Sequence, residues 1–254
     1  MTDQPDTSTR MPSVFVGVGS PRQMWDEQWC GELRQWAETM PRPKAILLFS
    51  AHWLQYPVTL GATKPVPLVY DYYNFPPHFY EVQYPAPNAP ELALRLRELL
   101  GEHVEIEQSE RGLDHGAFVG LMGMYPDADV PVLEVSIPTF DPESLFAVGH
   151  LLSPLRDEGV MIMGAGLLTH SGQSLEANRQ FDAWVVETLE KGDVDSLVRY
   201  QEAAPGVQQA LPTVEHFVPL LVADGAAYAG GGEVVTGVGG FSQGGGSRRS
   251  LQFN

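Results

Sequence analysis

The feature that most constrains this chain is a set of short, almost continuously apolar runs. They lie at residues 13–18 (Ser-Val-Phe-Val-Gly-Val), 45–49 (Ala-Ile-Leu-Leu-Phe), 130–137 and 160–163 (Val-Met-Ile-Met). Strands buried on both faces read this way, whereas a half-exposed strand alternates. Between the first two runs, Trp25, Trp29, Leu33, Trp36 and Met40 recur at steps of three or four, one face of a helix that Pro41 and Pro43 stop. Between the last two, residues 141–156 begin with Asp-Pro-Glu, a helix start. Parallel strands need such crossovers. The order predicts an α/β fold: a single domain with a mainly parallel central sheet and helices on both faces, the four strands adjacent and their carboxyl ends lining one cleft. The tryptophans of the first helix and Cys30 are assigned to the core.

The remainder is less regular. Residues 65–89 carry six prolines and an aromatic series, Tyr70, Tyr72, Tyr73, Phe75, Phe79 and Tyr80, which suits an ordered loop and neither a strand nor a helix. Pro90 opens a leucine-rich helix, and a strand follows at about Val104 to Ile106. Residues 173–203 read as helical, Thr213 to Ala223 as a further helix, and Glu233 to Val238 as a late strand. The glycine-rich stretch from Gly230 onward reads as loop and a loose terminus.

Composition excludes partners more than it selects them. The net charge of −17 repels nucleic-acid backbones and anionic membrane surfaces. The one cysteine, Cys30, rules out an intrachain disulfide and cysteine-rich zinc modules and fits a reducing compartment. Residues 1–12 form a polar tail without the pattern of a secretory leader, 13–254 form the domain, and no run approaches the ~20 apolar residues of a membrane span. The expectation is a soluble, cytoplasmic protein.

Of the seven histidines, four stand where chemistry is expected. His52 lies just past a strand end, His115 in Gly-Leu-Asp-His-Gly, His170 in Gly-Leu-Leu-Thr-His, and His216 in Glu-His-Phe. Any one alone reads as a hydrogen-bonded structural histidine; four candidates together point to a site. No pair has a short metal-binding spacing, so the site must be assembled from distant segments. Imidazole and carboxylate donors without cysteine suit iron(II), zinc or manganese. The glycines at 17 and 19 lack the third of a dinucleotide fingerprint, and neither a phosphate-binding loop nor a serine-hydrolase elbow is present.

Several segments, taken in order, resemble the class III extradiol ring-cleavage dioxygenases, in particular the 4,5-DOPA dioxygenase branch. They are Pro43 to Trp53 with its Ser-Ala-His-Trp ending, Phe75-Pro76-Pro77 with Tyr84 to Pro87, Gly112 to Ala117, Met124 to Pro131, and Glu215 to Leu221. The resemblance implies a single α/β domain and a non-haem iron(II), or zinc, site. It implies that His52 and His216 are metal ligands and that His115 and His170 are the acid/base pair, one deprotonating a catechol and the other orienting oxygen or returning a proton. A small aromatic substrate and dioxygen follow as partners. The family's first ligand precedes Gly-Ser-Pro, and here that position is Val18, which has no lone pair to offer a metal.

Three accounts of Val18 follow. Another residue replaces the ligand, His78 in the aromatic loop being the candidate histidine, with a carboxylate or water as alternatives. Or the pocket binds metal weakly or not at all and runs a different acid/base reaction on a phenolic substrate. Or the chain is a non-catalytic binding protein that keeps the fold.

Overall fold

The computed structural model describes residues 10–170, 174–228 and 233–254. Its strands are β1 (Ser13–Gly17), β2 (Ala45–Leu54), β3 (Val58–Leu60), β4 (Ile106–Gln108), β5 (Val132–Ile137), β6 (Val160–Gly166), β7 (Val234–Val238) and β8 (Ser250–Phe253). Its helices are α1 (Glu27–Glu38), α2 (Pro90–Leu100), α3 (His115–Met124), α4 (Pro142–Leu152), α5 (Pro154–Asp157), α6 (Leu175–Glu190), α7 (Val194–Val198), α8 (Tyr200–Ala203), α9 (Val207–Ala210) and α10 (Pro219–Ala227).

One eight-stranded sheet runs in the order β4-β3-β5-β2-β6-β1-β8-β7. The four strands read from the apolar runs form its contiguous parallel centre, β5-β2-β6-β1. Both faces of this centre are buried. Leu47 and Phe49 of β2 join Leu133 and Val135 of β5 in a core shared with α2, α4, α6 and α10, while Ile46 and Leu48 join the core built with α1 and α3. A strand that alternates between two apolar layers favours apolar residues at nearly every position, which is why these runs are almost continuous, Glu134 and Ser136 of β5 being buried exceptions.

Several local expectations are corrected. Ser250–Phe253 is not a loose end but a strand antiparallel to β1, with Leu251 and Phe253 buried. Buried Arg156 fixes it: Nε donates to Met11 O (2.6 Å), while the terminal nitrogens donate to Ala226 O and Phe253 O (both 3.2 Å). The Thr213–Ala223 helix is displaced, beginning at Pro219 after a run of turns, as expected of a proline at a first helical position. The strand near 104 is β4, two residues later, and the helical span from 173 divides into α6, α7 and α8, with residue 173 outside the described residues. Trp25 is 55% exposed, because it closes a 3₁₀ turn (Pro21–Trp25) and α1 starts afresh at Glu27 under an Asp26 cap, breaking the helical phase. Cys30 is only partly buried. Residues 229–232, where the glycine-rich stretch begins, lie outside the described residues. No helix among the described residues is long and apolar enough to cross a membrane.

Arg156→Leu should cost at least about 3 kcal/mol in a urea melt, since a buried carbonyl left unpaired costs about 1 kcal/mol or more and three lose their donor. A loss below ~1 kcal/mol would mean the ends are held by β-pairing alone.

Candidate active site

The site forms where β2 leaves regular pairing. Phe49 of β2 stands opposite Val135 of β5, and Leu54 opposite Ile137, so five steps on one strand match two on the other. Such irregularity re-aims side chains at sheet ends, and His52 lies on this stretch. Two contacts tie it to the start of α3. Ser50 Oγ donates to Asp114 Oδ1 (2.7 Å), and Asp114 caps α3 by accepting from Ala117 N (3.2 Å). Gly116 permits this closeness, because a Cβ there would stand 2.4 Å from Ser50 Oγ and 3.2 Å from His52 Cδ2. The sequence that reads Asp-His-Gly therefore supplies a cap, a functional imidazole and a close approach.

The second half is built at the end of β6. His216 lies in the turn before α10, its carbonyl accepting from Leu167 N (2.8 Å). A Cβ on Gly166 would stand 2.1 Å from that carbonyl, so glycine is required there. His170, three residues past Leu167, donates its main-chain N–H to Ala210 O (2.9 Å).

These segments bring the four histidines together. Ring centroids are 3.9 Å apart for His52 and His115, 5.1 Å for His52 and His216 at 90°, and 3.8 Å for His170 and His216. His115 and His216 are buried, and His170 is half-exposed. The Tyr72 ring meets His115 edge-on at 5.5 Å, placing the aromatic loop against the site. His78 is not brought here: it sits exposed in the 3₁₀ turn Pro77–Tyr80 with its ring against Trp25 and Phe79. Val18 is buried beside the site. Its Cγ2 lies 3.1 Å from where a Cβ on Gly120 would be, one turn of α3 beyond the Gly116 that faces His52.

The residue that sequence reasoning missed is Asp71. Its Oδ2 is 2.9 Å from His52 Nδ1, and its Oδ1 is 2.8 Å from His115 Nδ1 and accepts His115 N (3.1 Å). The available signal was that Asp71 and Glu81 are the only acids in the proline- and aromatic-rich stretch 65–89.

The electrostatics separate these groups. Burial alone would raise the Asp71 carboxyl, but the hydrogen bonds from His115 and His52 outweigh it and hold it well below the carboxylate range. Burial likewise opposes charge on His52, yet Asp71, Asp114 and Glu215 together raise it above the ordinary value. His216 is pushed down to about 2 by burial, then by His170, His52 and His115, and His170 is lowered chiefly by burial. Neutral imidazole is the form that binds metal. Among the described residues, His52 Nε2, His170 Nδ1 and His216 Nδ1 are buried without a hydrogen-bond partner, the nearest described carboxylate to His170 Nδ1 being Glu215 at 3.5 Å. Two groupings among the described residues have donor atoms close enough to share an ion, His52–Asp71–His115 and His170–Glu215–His216.

Imidazoles gathered at the carboxyl edge of a parallel sheet, with carboxylates beside them, make a donor set that could hold a metal ion. The family described as the catalytic LigB subunit of aromatic ring-opening dioxygenase matches residues 8–248, and the chain belongs to it. It is 37% identical to a 4,5-DOPA dioxygenase extradiol of Beta vulgaris over 85% of this chain and 86% of that one. It is 36% identical to the Escherichia coli K12 protein of the same name over 87% and 86%. A crystal structure of an uncharacterized Escherichia coli K12 protein superposes with a TM-score of 0.78 at 31% identity, covering 96% of this chain and all of that one. The chain is thus a dioxygenase-like oxidoreductase of a metal-dependent family.

The His216 shift has a sign that can be checked. An unfolded histidine takes a proton near pH ~6.5, and the folded one does not until about 2. Stability contributed by the neutral ring is therefore present above ~6.5 and lost as pH falls below it, by up to about 1.4 kcal/mol per unit. Urea melts of metal-stripped protein from pH 7 to 5 should show this slope, and His216→Gln should flatten it; an unchanged slope would show that the folded ring takes up its proton normally.

Proposed function

We propose that this chain opens the ring of a catechol, or a related phenolic small molecule, by extradiol cleavage with dioxygen at a metal held by His52 and His216. The observation that carries the reading is the convergence of four histidines with three buried ring nitrogens lacking partners. An unpaired buried polar atom costs about 1–3 kcal/mol, and a cation removes that cost. Imidazole and carboxylate donors without thiolate suit iron(II) or zinc. When bound, iron(II) would supply a charge that favours the catecholate and a path by which the catechol's own electrons reach dioxygen. The name carried by the beet and Escherichia coli relatives supports a catechol as the substrate class. The single cysteine supports a cytoplasmic setting.

The chain's own residues divide the remaining work. His115, its Nδ1 held by Asp71, presents Nε2 as the base for a catechol hydroxyl. His170, half-exposed beside His216, returns a proton to the opened product. Histidine suits both tasks because its ordinary pKa lies near working pH. The ring of Tyr72 flanks His115 and offers a wall for a planar substrate. With Val18 unable to donate, the carboxylate that stands beside His216 is Glu215, grouped with His170 and His216 and not with His52, so in this reading Glu215 or water is the third donor rather than His78. The buried valine also favours a second reading, a metal-poor member that uses His115 and His170 for acid/base chemistry on a phenol.

Metal analysis of protein purified without chelator, followed by aerobic assays with catechols, separates the two. The first reading expects bound iron or zinc and oxygen uptake with ring opening; no metal and no uptake with any catechol would defeat it. His170→Ala should depress kcat more than it raises KM, and normal turnover would remove His170 from its role. Val18→His should raise iron occupancy and catechol turnover, at a packing cost of about 1–3 kcal/mol for a larger side chain in the core. Full occupancy in the natural protein with no change in Val18→His would mean position 18 is not a ligand position here.

A further inference from the structure

The Asp71 carboxylate has partners on both oxygens, and both are imidazoles of the site. An ionised carboxylate can only accept, so each Nδ1 must carry its proton and donate. In the neutral ring each Nε2 is then left without a proton on the far side, and His52 Nε2 is one of the buried nitrogens with no partner among the described residues. The loop that carries Asp71 is held by other groups: Val69 N donates to Leu113 O (2.9 Å), Tyr70 Oη to Val82 O (2.6 Å), Tyr72 Oη to Phe79 O and Tyr80 Oη to Tyr72 O (3.3 Å). Its carboxylate is therefore not needed to hold the loop's course.

We infer that Asp71 is a positioning residue that fixes two imidazoles at once, setting the Nδ1–H tautomer and ring orientation of both the ligand His52 and the base His115. The inference deepens the proposed function and rests on its assignment of those two roles. One carboxylate serving both rings makes the distance between ligand lone pair and base lone pair a property of a single side chain. A carboxylate behind a ligating histidine is a common device; here the same carboxylate reaches the group that handles the substrate's proton. The aromatic loop, on this account, delivers Asp71 as well as a pocket wall.

The test reads nitrogen states before activity. In metal-free, 15N-histidine-labelled protein at a pH where the rings are neutral, long-range 1H–15N spectra should show Nδ1–H tautomers for both His52 and His115. Either ring in the Nε2–H form in the natural protein overturns the inference without any variant. Asp71→Asn keeps the shape but offers one acceptor oxygen and an NH2 group, so one of the two rings should switch to Nε2–H. Cobalt(II) affinity, followed by visible absorption, should fall about 10–100-fold if His52 switches, and kcat for catechol should fall with little change in KM if His115 does. Asp71→Glu, which keeps two acceptor oxygens, should restore the tautomers and part of the affinity or rate. Unchanged tautomers and unchanged cobalt affinity in Asp71→Asn overturn the inference. Correct tautomers in a natural protein that cleaves no catechol would defeat the proposed function and leave the placement of the two rings by Asp71 standing.

Discussion

The carbonyl of His216 accepts the N–H of Leu167 across the bare face of Gly166, and the rest of the site is arranged around that contact. It fastens the turn before α10 to the carboxyl end of β6, which sets His216 and, three residues past Leu167, His170 on one corner. On the other side, Gly116 lets α3 press onto Ser50 and His52 at the irregular end of β2. Two close approaches, each closed to any side chain, bring imidazoles from four separate segments into ring contact. Ligands in open α/β sheets gather at strand carboxyl ends, and here the gathering is done by main-chain packing before any side chain is asked to bond.

Asp71 and Glu134, both close to this corner, respond to their surroundings in opposite ways. Asp71 keeps its charge because two ring N–H groups and a main-chain N–H meet it. Glu134, 1% exposed, has its carboxyl raised well above the usual range by burial and by Asp114 beside it. The charge kept by Asp71 lies behind His52 and His115, while burial holds His170 and His216 toward the neutral form. That is a setting for a divalent cation rather than for an anionic cofactor.

Much of this was legible in the sequence where burial is total. The four central strands carry apolar side chains on both faces, so no choice of register could hide them, and their helices keep strict spacing. His52, His115, His170 and His216 could be singled out because each sits next to a strand end, a cap or a turn. What escaped depends on tertiary partners. The strand β8 is four residues in a glycine-rich tail, and only its place between β1 and β7, with Arg156 across its end, makes it a strand. The interruption between the turn ending at Trp25 and α1 left the heptad-like spacing intact while turning that tryptophan outward. Asp71 bears no spacing relation to either histidine it holds, being 19 residues from one and 44 from the other, and an acid among tyrosines looks like ordinary loop chemistry.

The place of β8 also sets an order of events. Ser13 pairs with Phe253, and β1 lies between β6 and β8. The edge of β1 that faces β8 is therefore covered only by residues far along in the sequence. Until β8 pairs there it presents an unpaired apolar edge of the kind that recruits other strands, and closing so long a loop is slow. The strand that leads into Val18 thus has both edges paired only once β8 has docked, which ties the closing of this edge of the sheet to the segment that runs on toward the histidines.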